Sequence, residues 1–266
     1  MPPPRTRALT RDVAPSLAHC ELSFLQRQPI DLERAVAQHR AYCDTLAALG
    51  LAVVRLPADA AFPDCCFVED TAVVVDEIAV LASMGAPSRR GEVAAVESAL
   101  AAERPIARIA PPARLDGGDV LVVGRRVFVG ASARTNAAGA AALAGALQPF
   151  GYGVTRVAVT GCLHLKSAVT ALDPETLLVN PDWIDVAPLS GHDLVGVDPG
   201  EAAAANVLAV DGRILAHGGF PRTLARLEVL GYDVHRVDVS EFLKAEGGVT
   251  CKSILYAVFD GSPAGV

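Results

Sequence analysis

The chain has 266 residues, 52% hydrophobic and 20% charged, with 30 acidic against 23 basic side chains and a net charge of −7. That length buries a sizeable core, the acidic balance speaks against nucleic acid or an anionic membrane as the main partner, and 5% aromatic residues leave no stacking platform for bases. No apolar run reaches the length of a membrane span, and six cysteines without a paired spacing read as reduced thiols of a cytoplasmic protein, with neither a disulfide framework nor a structural zinc site.

The start, Met1-Pro-Pro-Pro-Arg-Thr-Arg7, has basic residues but no apolar run behind them, unlike a secretory signal. Residues 1–16 are expected to form a loose terminus, and residues 17–29, which join no repeat, to form a lid. A helix is predicted over about residues 32–49, with Gly50 as its stop, followed by a strand at 52–56. Strands at 72–76 and 78–81, a helix at about 90–102 and a strand at 107–109 follow. The same grammar returns as a hairpin over 120–130 turning at Gly124-Arg125-Arg126, a helix within 131–148 ended by Gly151, and a strand at 154–159. A degraded copy has strands at 168–171, 177–179 and 193–197 around a weak helix or loop. A further copy has a hairpin over 207–217 turning at Asp211-Gly212-Arg213, a helix at 221–230 ended by Gly231, and a strand at 234–239. A strand at 253–259 would complete the first unit through the termini, and residues 257–266 read as a loose tail.

Five strand-strand-helix-strand units predict one domain over residues 1–266 with radial pseudo-symmetry. An ordinary α/β domain also repeats βα units, but the hairpin before each helix favours the radial arrangement, whose loops converge near the axis. The chemistry is expected there. Glu246-Gly-Gly-Val-Thr-Cys251 places a cysteine behind two glycines, at the entry of the last strand. Cys251 is either a nucleophile or a small core filler. Phe62-Pro-Asp-Cys-Cys-Phe-Val-Glu-Asp70 gathers Asp64, Glu69 and Asp70 beside apolar residues. Such a cluster is either a solvated acidic loop or a cation site. Arg89 and Arg134 precede helices at equivalent positions of two repeats; they either pair locally or fork onto a carboxylate. Asp116 and His164 occupy homologous loops, where they would be an orienting acid and a proton carrier, or else a turn former and a core histidine.

Phe67-Val-Glu-Asp70, Ser88-Arg-Arg-Gly-Glu92, Asp116-Gly-Gly-Asp119, Ser132-Ala-Arg-Thr-Asn136, Leu163-His-Leu-Lys166 and Gly247-Gly-Val-Thr-Cys251 occur in this order. Together they resemble the dimethylarginine dimethylaminohydrolases of the guanidino-group-modifying superfamily, over residues 17–256. The resemblance implies a five-bladed α/β propeller, hydrolysis of Nω-methylated arginine to citrulline and an amine, and no cofactor or catalytic metal. It implies Cys251 as nucleophile, His164 as general acid and base, and Asp116 as its orienting partner. Asp70 and Glu69 would hold the guanidinium, Asp64 the α-ammonium, and Arg89 and Arg134 the α-carboxylate. Leu22 and the Ala245 carbonyl would line the amino-acid end. The partner is a small guanidino amino acid, and a homodimer is compatible with the chain. An arginine deiminase-like hydrolase is the nearest alternative, although the chain has no room for the helical insertion of the larger deiminases. A non-catalytic guanidino-compound binder would need only the carboxylate clamp.

Overall fold

The computed structural model describes residues 5–258. Among the described residues fifteen strands form five separate three-stranded sheets, each with one antiparallel and one parallel pair. The first blade joins β15 (Ile254–Val258), β1 (Arg5–Arg11) and β2 (Ala52–Leu56), with α1 (Leu32–Ala48) between β1 and β2. The second has β3 (Ala72–Val74), β4 (Ala79–Leu81), α2 (Val93–Leu100) and β5 (Ile106–Arg108). The third has β6 (Val120–Val123), β7 (Arg126–Ala131), α3 (Ala137–Leu147) and β8 (Gly153–Ala158). The fourth has β9 (Val169–Ala171), β10 (Thr176–Val179) and β11 (Asp193–Gly196), with one 3-10 turn at Ala187–Leu189 in place of the helix. The fifth has β12 (Leu208–Val210), β13 (Arg213–His217), α5 (Pro221–Val229) and β14 (Asp233–Val237). Two one-turn helices, α4 (Leu165–Ala168) and α6 (Ser240–Leu243), lie in loops.

Local chemistry accounts for these elements. The Asp31 carboxylate caps α1 by accepting the Arg34 N–H at 3.0 Å, and Asn136 caps α3 by accepting the Gly139 N–H at 2.8 Å. The β12–β13 turn has φ of 47° at Asp211 and 78° at Gly212, the paired positive angles of a tight hairpin. In four blades a helix of about two to five turns, and in the fourth blade a loop with the 3-10 turn, then returns the chain to lie parallel to the middle strand, as a parallel pairing requires a crossover.

The five apolar clusters each draw on two neighbouring blades, so the core is a ring of inter-blade seams. Around the axis the innermost strands leave a channel of about 330 Å³, lined by residues such as Val73, Leu121, Thr170, Leu208 and Ile254. Among the described residues no helix is long and apolar enough to cross a membrane.

The expected loose N-terminus is corrected. Arg5–Arg11 is the middle strand of its blade, paired from Arg5↔Val258 to Leu9↔Ile254 on one side and from Arg7↔Ala52 to Arg11↔Leu56 on the other. Ala8, Leu9 and Thr10 are fully buried. The strand was hidden because only two of its residues, Ala8 and Leu9, are apolar; Arg7 pairs with Glu103 and Arg11 Nε with the Pro57 carbonyl at 3.0 Å, partners distant in sequence. At the other end, Ala257 and Val258 belong to β15 and so are not loose, while residues 259–266 lie outside the described residues.

One buried group carries a stability prediction. Lys252 is fully buried, with Nζ 2.9 Å from His39 Nδ1 and 3.1 Å from the Phe242 ring centroid. Its partners are an imidazole and an aromatic face, not a carboxylate. Burial brings its pKa down to about 7. Between pH 7 and about 10.4 the unfolded chain therefore holds a proton that the folded chain does not, and stability rises with pH across that window. Lys252→Met should stabilise the protein by a few kcal/mol at pH 7, with the gain fading towards pH 10 in urea unfolding. A gain that does not depend on pH would disprove the neutral amine.

Candidate active site

Cys251 lies in a one-turn 3-10 helix, Thr250–Lys252, that feeds β15. Its Sγ accepts the Gly248 N–H at 3.2 Å and is nearly buried. Burial pushes the thiol up to about 12, and the Glu69 and Asp70 carboxylates push the same way against the Gly248 N–H and Lys166. The free site therefore holds a thiol at neutral pH.

His164 precedes α4. Its Nε2 is 3.1 Å from Asp116 Oδ2, and its Nδ1 is 3.6 Å from Asp70 Oδ1. Burial alone would lower its pKa, but Asp70, the hydrogen bond to Asp116, and Asp119 outweigh it and raise the imidazole to about 9. A doubly protonated ring thus sits between two carboxylates. Asp116 is fully buried behind it. Its Oδ1 accepts the Gly85 N–H at 2.7 Å, and its own N–H donates to Thr135 Oγ1 at 3.2 Å. Oxygen and nitrogen atoms of Asp70, Asp116 and His164 lie within 4.8 Å of one another, close enough for a cation, but the imidazolium already supplies the positive charge.

Asp70 and Glu69 are neighbours on the 3-10 turn Val68–Thr71, where successive side chains diverge by about 120°. Asp70 faces the cavity beside Cys251; its Oδ1 accepts the Gly118 N–H at 3.0 Å and its Oδ2 pairs with Arg89 Nη1 at 2.7 Å. Burial would raise this carboxyl, but His164 and Arg89 together hold it below its ordinary range. Gly118 permits this approach, since a Cβ there would stand 2.5 Å from Asp70 Oδ1 and 2.7 Å from His164 Nδ1. Glu69 departs from its expected place. It turns into the axial channel, where Lys166 Nζ binds it at 2.7 Å and Thr250 Oγ1 at 2.8 Å.

The narrow cavity over Cys251 is lined by Asp64, Asp70, Arg89, Arg134, His164 and Ala245, among others. Six sequence-predicted residues therefore meet there with the cysteine, and Asp116 supports the histidine from behind. Leu22 is half-buried against the apolar cluster around α1 and does not line the cavity, whereas Glu21 does. Asp64 Oδ2 accepts the Glu21 N–H at 3.0 Å. Arg89 differs from expectation, because its donors are committed to Asp70, to Glu92 at 2.9–3.2 Å and to the Phe67 carbonyl at 3.2 Å. Arg134 is the opposite case: Nη2 donates to Ser23 Oγ at 3.0 Å, while buried Nη1 has no hydrogen-bond partner. Nη1 is 3.7 Å from Asp116 Oδ2, an ion pair too long to be a hydrogen bond, so a buried guanidinium donor is left without a hydrogen-bond acceptor, which is costly unless one arrives.

Sequence reasoning missed Glu92, Asp119 and Glu246. Glu92 is buried beside Arg89 and raised to about 7 by burial in spite of that neighbour; its signal was the three-residue spacing from Arg89. Asp119 Oδ1 accepts the Leu165 N–H at 2.9 Å and Oδ2 the Ser132 hydroxyl at 2.5 Å, which ties the His164 turn to the Arg134 loop.

Comparison with known proteins places this constellation. The family model for arginine deiminase matches residues 60–187. The N(G),N(G)-dimethylarginine dimethylaminohydrolase of Streptomyces coelicolor is 40% identical over 253 residues, covering 94% of this chain and 97% of that protein. The chain belongs to the dimethylarginine dimethylaminohydrolase family. The member from Pseudomonas aeruginosa is 34% identical over 228 residues, covering 85% of this chain and 90% of that protein. A crystal structure of a mutant of the Pseudomonas aeruginosa dimethylarginine dimethylaminohydrolase complexed with citrulline superimposes with a TM-score of 0.88 at 32% identity, over 94% of this chain and 98% of that one. The five-bladed arrangement is thus the fold of the dimethylarginine dimethylaminohydrolase family.

Proposed function

We propose that the protein hydrolyses Nω-methylated arginine, asymmetric dimethylarginine and monomethylarginine, to L-citrulline and dimethylamine or methylamine. The observation that carries this reading is a single cavity holding the Cys251 thiol, an imidazolium between Asp70 and Asp116, and an Arg134 donor with no hydrogen-bond acceptor. Asp70 receives the substrate guanidinium. Asp64 takes the α-ammonium with the Ala245 carbonyl beside it, and Arg134 takes the α-carboxylate. Arg89 acts through Asp70, and Glu69 acts from the channel side as a charge beneath the thiol.

The arriving cation offsets the carboxylates that oppose thiol ionisation, so Cys251 loses its proton to solvent as substrate binds. The thiolate forms a bond to the guanidinium carbon. The C–N bond to the methylated nitrogen then breaks as His164 donates its proton, and the neutral amine departs. Neutral His164 next takes a proton from water, whose oxygen bonds to the same carbon. The C–S bond breaks as the hydroxyl proton of the adduct passes to the departing sulfur, which returns the Cys251 thiol and leaves neutral citrulline. The reacting group is cationic before each addition and neutral after it, and no step develops an oxyanion, so carboxylates and not an oxyanion hole line the site.

Citrulline release from asymmetric dimethylarginine, with unmethylated arginine as the second substrate, tests the assignment. Turnover of the methylated substrate with arginine slower is expected. Turnover of arginine alone would move the protein to the deiminases, and binding of methylarginine without turnover would make it a guanidino-compound binder.

A further inference from the structure

Residues 20–31 form neither helix nor strand, and residues 23–29 are all exposed, Phe24 at 52% and Leu25 at 49% among them. Its ends are packed, with Cys20, Leu22 and Ile30 resting on the apolar cluster around α1, but the exposed span 23–29 between them is not held by apolar packing. Its position comes from polar ties. The Ser23 N–H donates to both carboxylate oxygens of Glu246 at 3.0 Å, and the Phe24 and Leu25 N–H groups each donate to Oε1 at 2.6 Å. Three successive amides thus converge on one carboxylate from more than 220 residues away. Arg27 ties the segment back on itself and to the turn before it, binding the Cys20 and Ala18 carbonyls at 2.6 Å.

Glu246 has φ of +60°, a left-handed conformation that costs a non-glycine side chain about 1 kcal/mol or more. Its flanking residues Ala245 and Gly247 are buried and line the cavity, so the chain on both sides is fixed. The left-handed turn is what aims the carboxylate outward at the crossing segment. Where that segment is held, Ser23 Oγ meets Arg134 Nη2 and the Glu21 N–H meets Asp64. These are the two side chains assigned to the amino-acid end of the substrate.

We propose that Glu246 is a positioning residue whose carboxylate latches residues 23–25 across the cavity, and that this latch completes the pocket for the substrate's amino-acid end. The consequence for substrate rests on the methylarginine assignment; the latch itself does not. The nucleophile loop and the covering segment are then one mechanical unit, because the residue that ties them lies five positions before Cys251. Charge-assisted hydrogen bonds from three amides outweigh the exposure of the site, and their loss should loosen the segment without disturbing Cys251 or His164.

The test compares the full chain with Glu246→Gly, where glycine adopts the left-handed angle freely and the fold is not at risk, and with Glu246→Gln, which keeps one acceptor oxygen. Amide hydrogen exchange without substrate should speed up at residues 23–25 by roughly tenfold or more in Glu246→Gly and by less in Glu246→Gln. The KM for asymmetric dimethylarginine should rise by roughly ten- to a hundredfold in Glu246→Gly, with kcat within about threefold of the parent. Unchanged exchange at these amides would overturn the latch, whatever the substrate proves to be. Faster exchange with an unchanged KM in an active enzyme would overturn its role in holding substrate.

Discussion

Cys251→Ser should lower citrulline release from asymmetric dimethylarginine by roughly four or more orders of magnitude, with citrulline binding retained in calorimetry. A serine hydroxyl in this place has no route to its alkoxide. The nearby imidazole is raised to about 9 and so is already protonated at neutral pH, which denies it the part of a base in the free site. The carboxylates of Glu69 and Asp70 oppose any anion at position 251. The wild-type thiol is also pushed up to about 12, but substrate charge and sulfur's intrinsic acidity bring it within reach. The same electrostatics predict that iodoacetamide labels Cys251 slowly in the ligand-free protein and that the rate climbs with pH beyond 9 without levelling. A plateau near pH 7 would mean a preformed thiolate and would remove the need for substrate charge. Retained turnover in the serine variant would remove Cys251 from the chemistry altogether.

The fold was legible where hairpins announce themselves by turn residues and helices by a glycine stop. The third and fifth blades match the predicted units closely, since Gly124, Gly151, Gly212 and Gly231 all take the positive φ that a turn or helix end requires. β1 was not legible, because Arg-Thr-Arg-Ala-Leu-Thr-Arg has no alternating apolar face; its place is set by partners at residues 52–56 and 254–258, which no local pattern reveals. In the site, the loops that the repeats bring to the axis did converge, and Cys251, His164, Asp70, Asp64, Arg134 and Ala245 share one cavity. Direction was not legible. Adjacent acids in a tight turn look alike in sequence, yet Asp70 faces the cavity and Glu69 the channel, where Lys166 holds it. Two arginines at equivalent repeat positions also look alike, yet Glu92 occupies Arg89 while Arg134 keeps a donor without a hydrogen-bond acceptor. Which partner wins depends on three-dimensional neighbours more than on residue type.

His164→Asn should lower kcat by roughly 10²- to 10⁴-fold, because the departing amine loses its proton donor and the second step loses its base. The same substitution has a pH-dependent effect on stability whose sign follows from the charges around the ring. The folded imidazole, at about 9, binds its proton more tightly than the unfolded one near 6.5. Its contribution to stability is therefore complete below about pH 6.5 and is lost as pH rises through 9. Asparagine leaves Asp70 and Asp116 facing each other without that charge, so the variant is destabilised most at low pH. In urea unfolding, the gap between the two proteins should narrow steadily from pH 6 to 9.5. Lys252 works in the opposite direction over an overlapping range, but it is present in both proteins and cancels in the difference. A gap that stays constant with pH would show that the ring is neutral between its two carboxylates. His164 would then enter the reaction as a base first, and the proton for the leaving amine would have to come from Cys251.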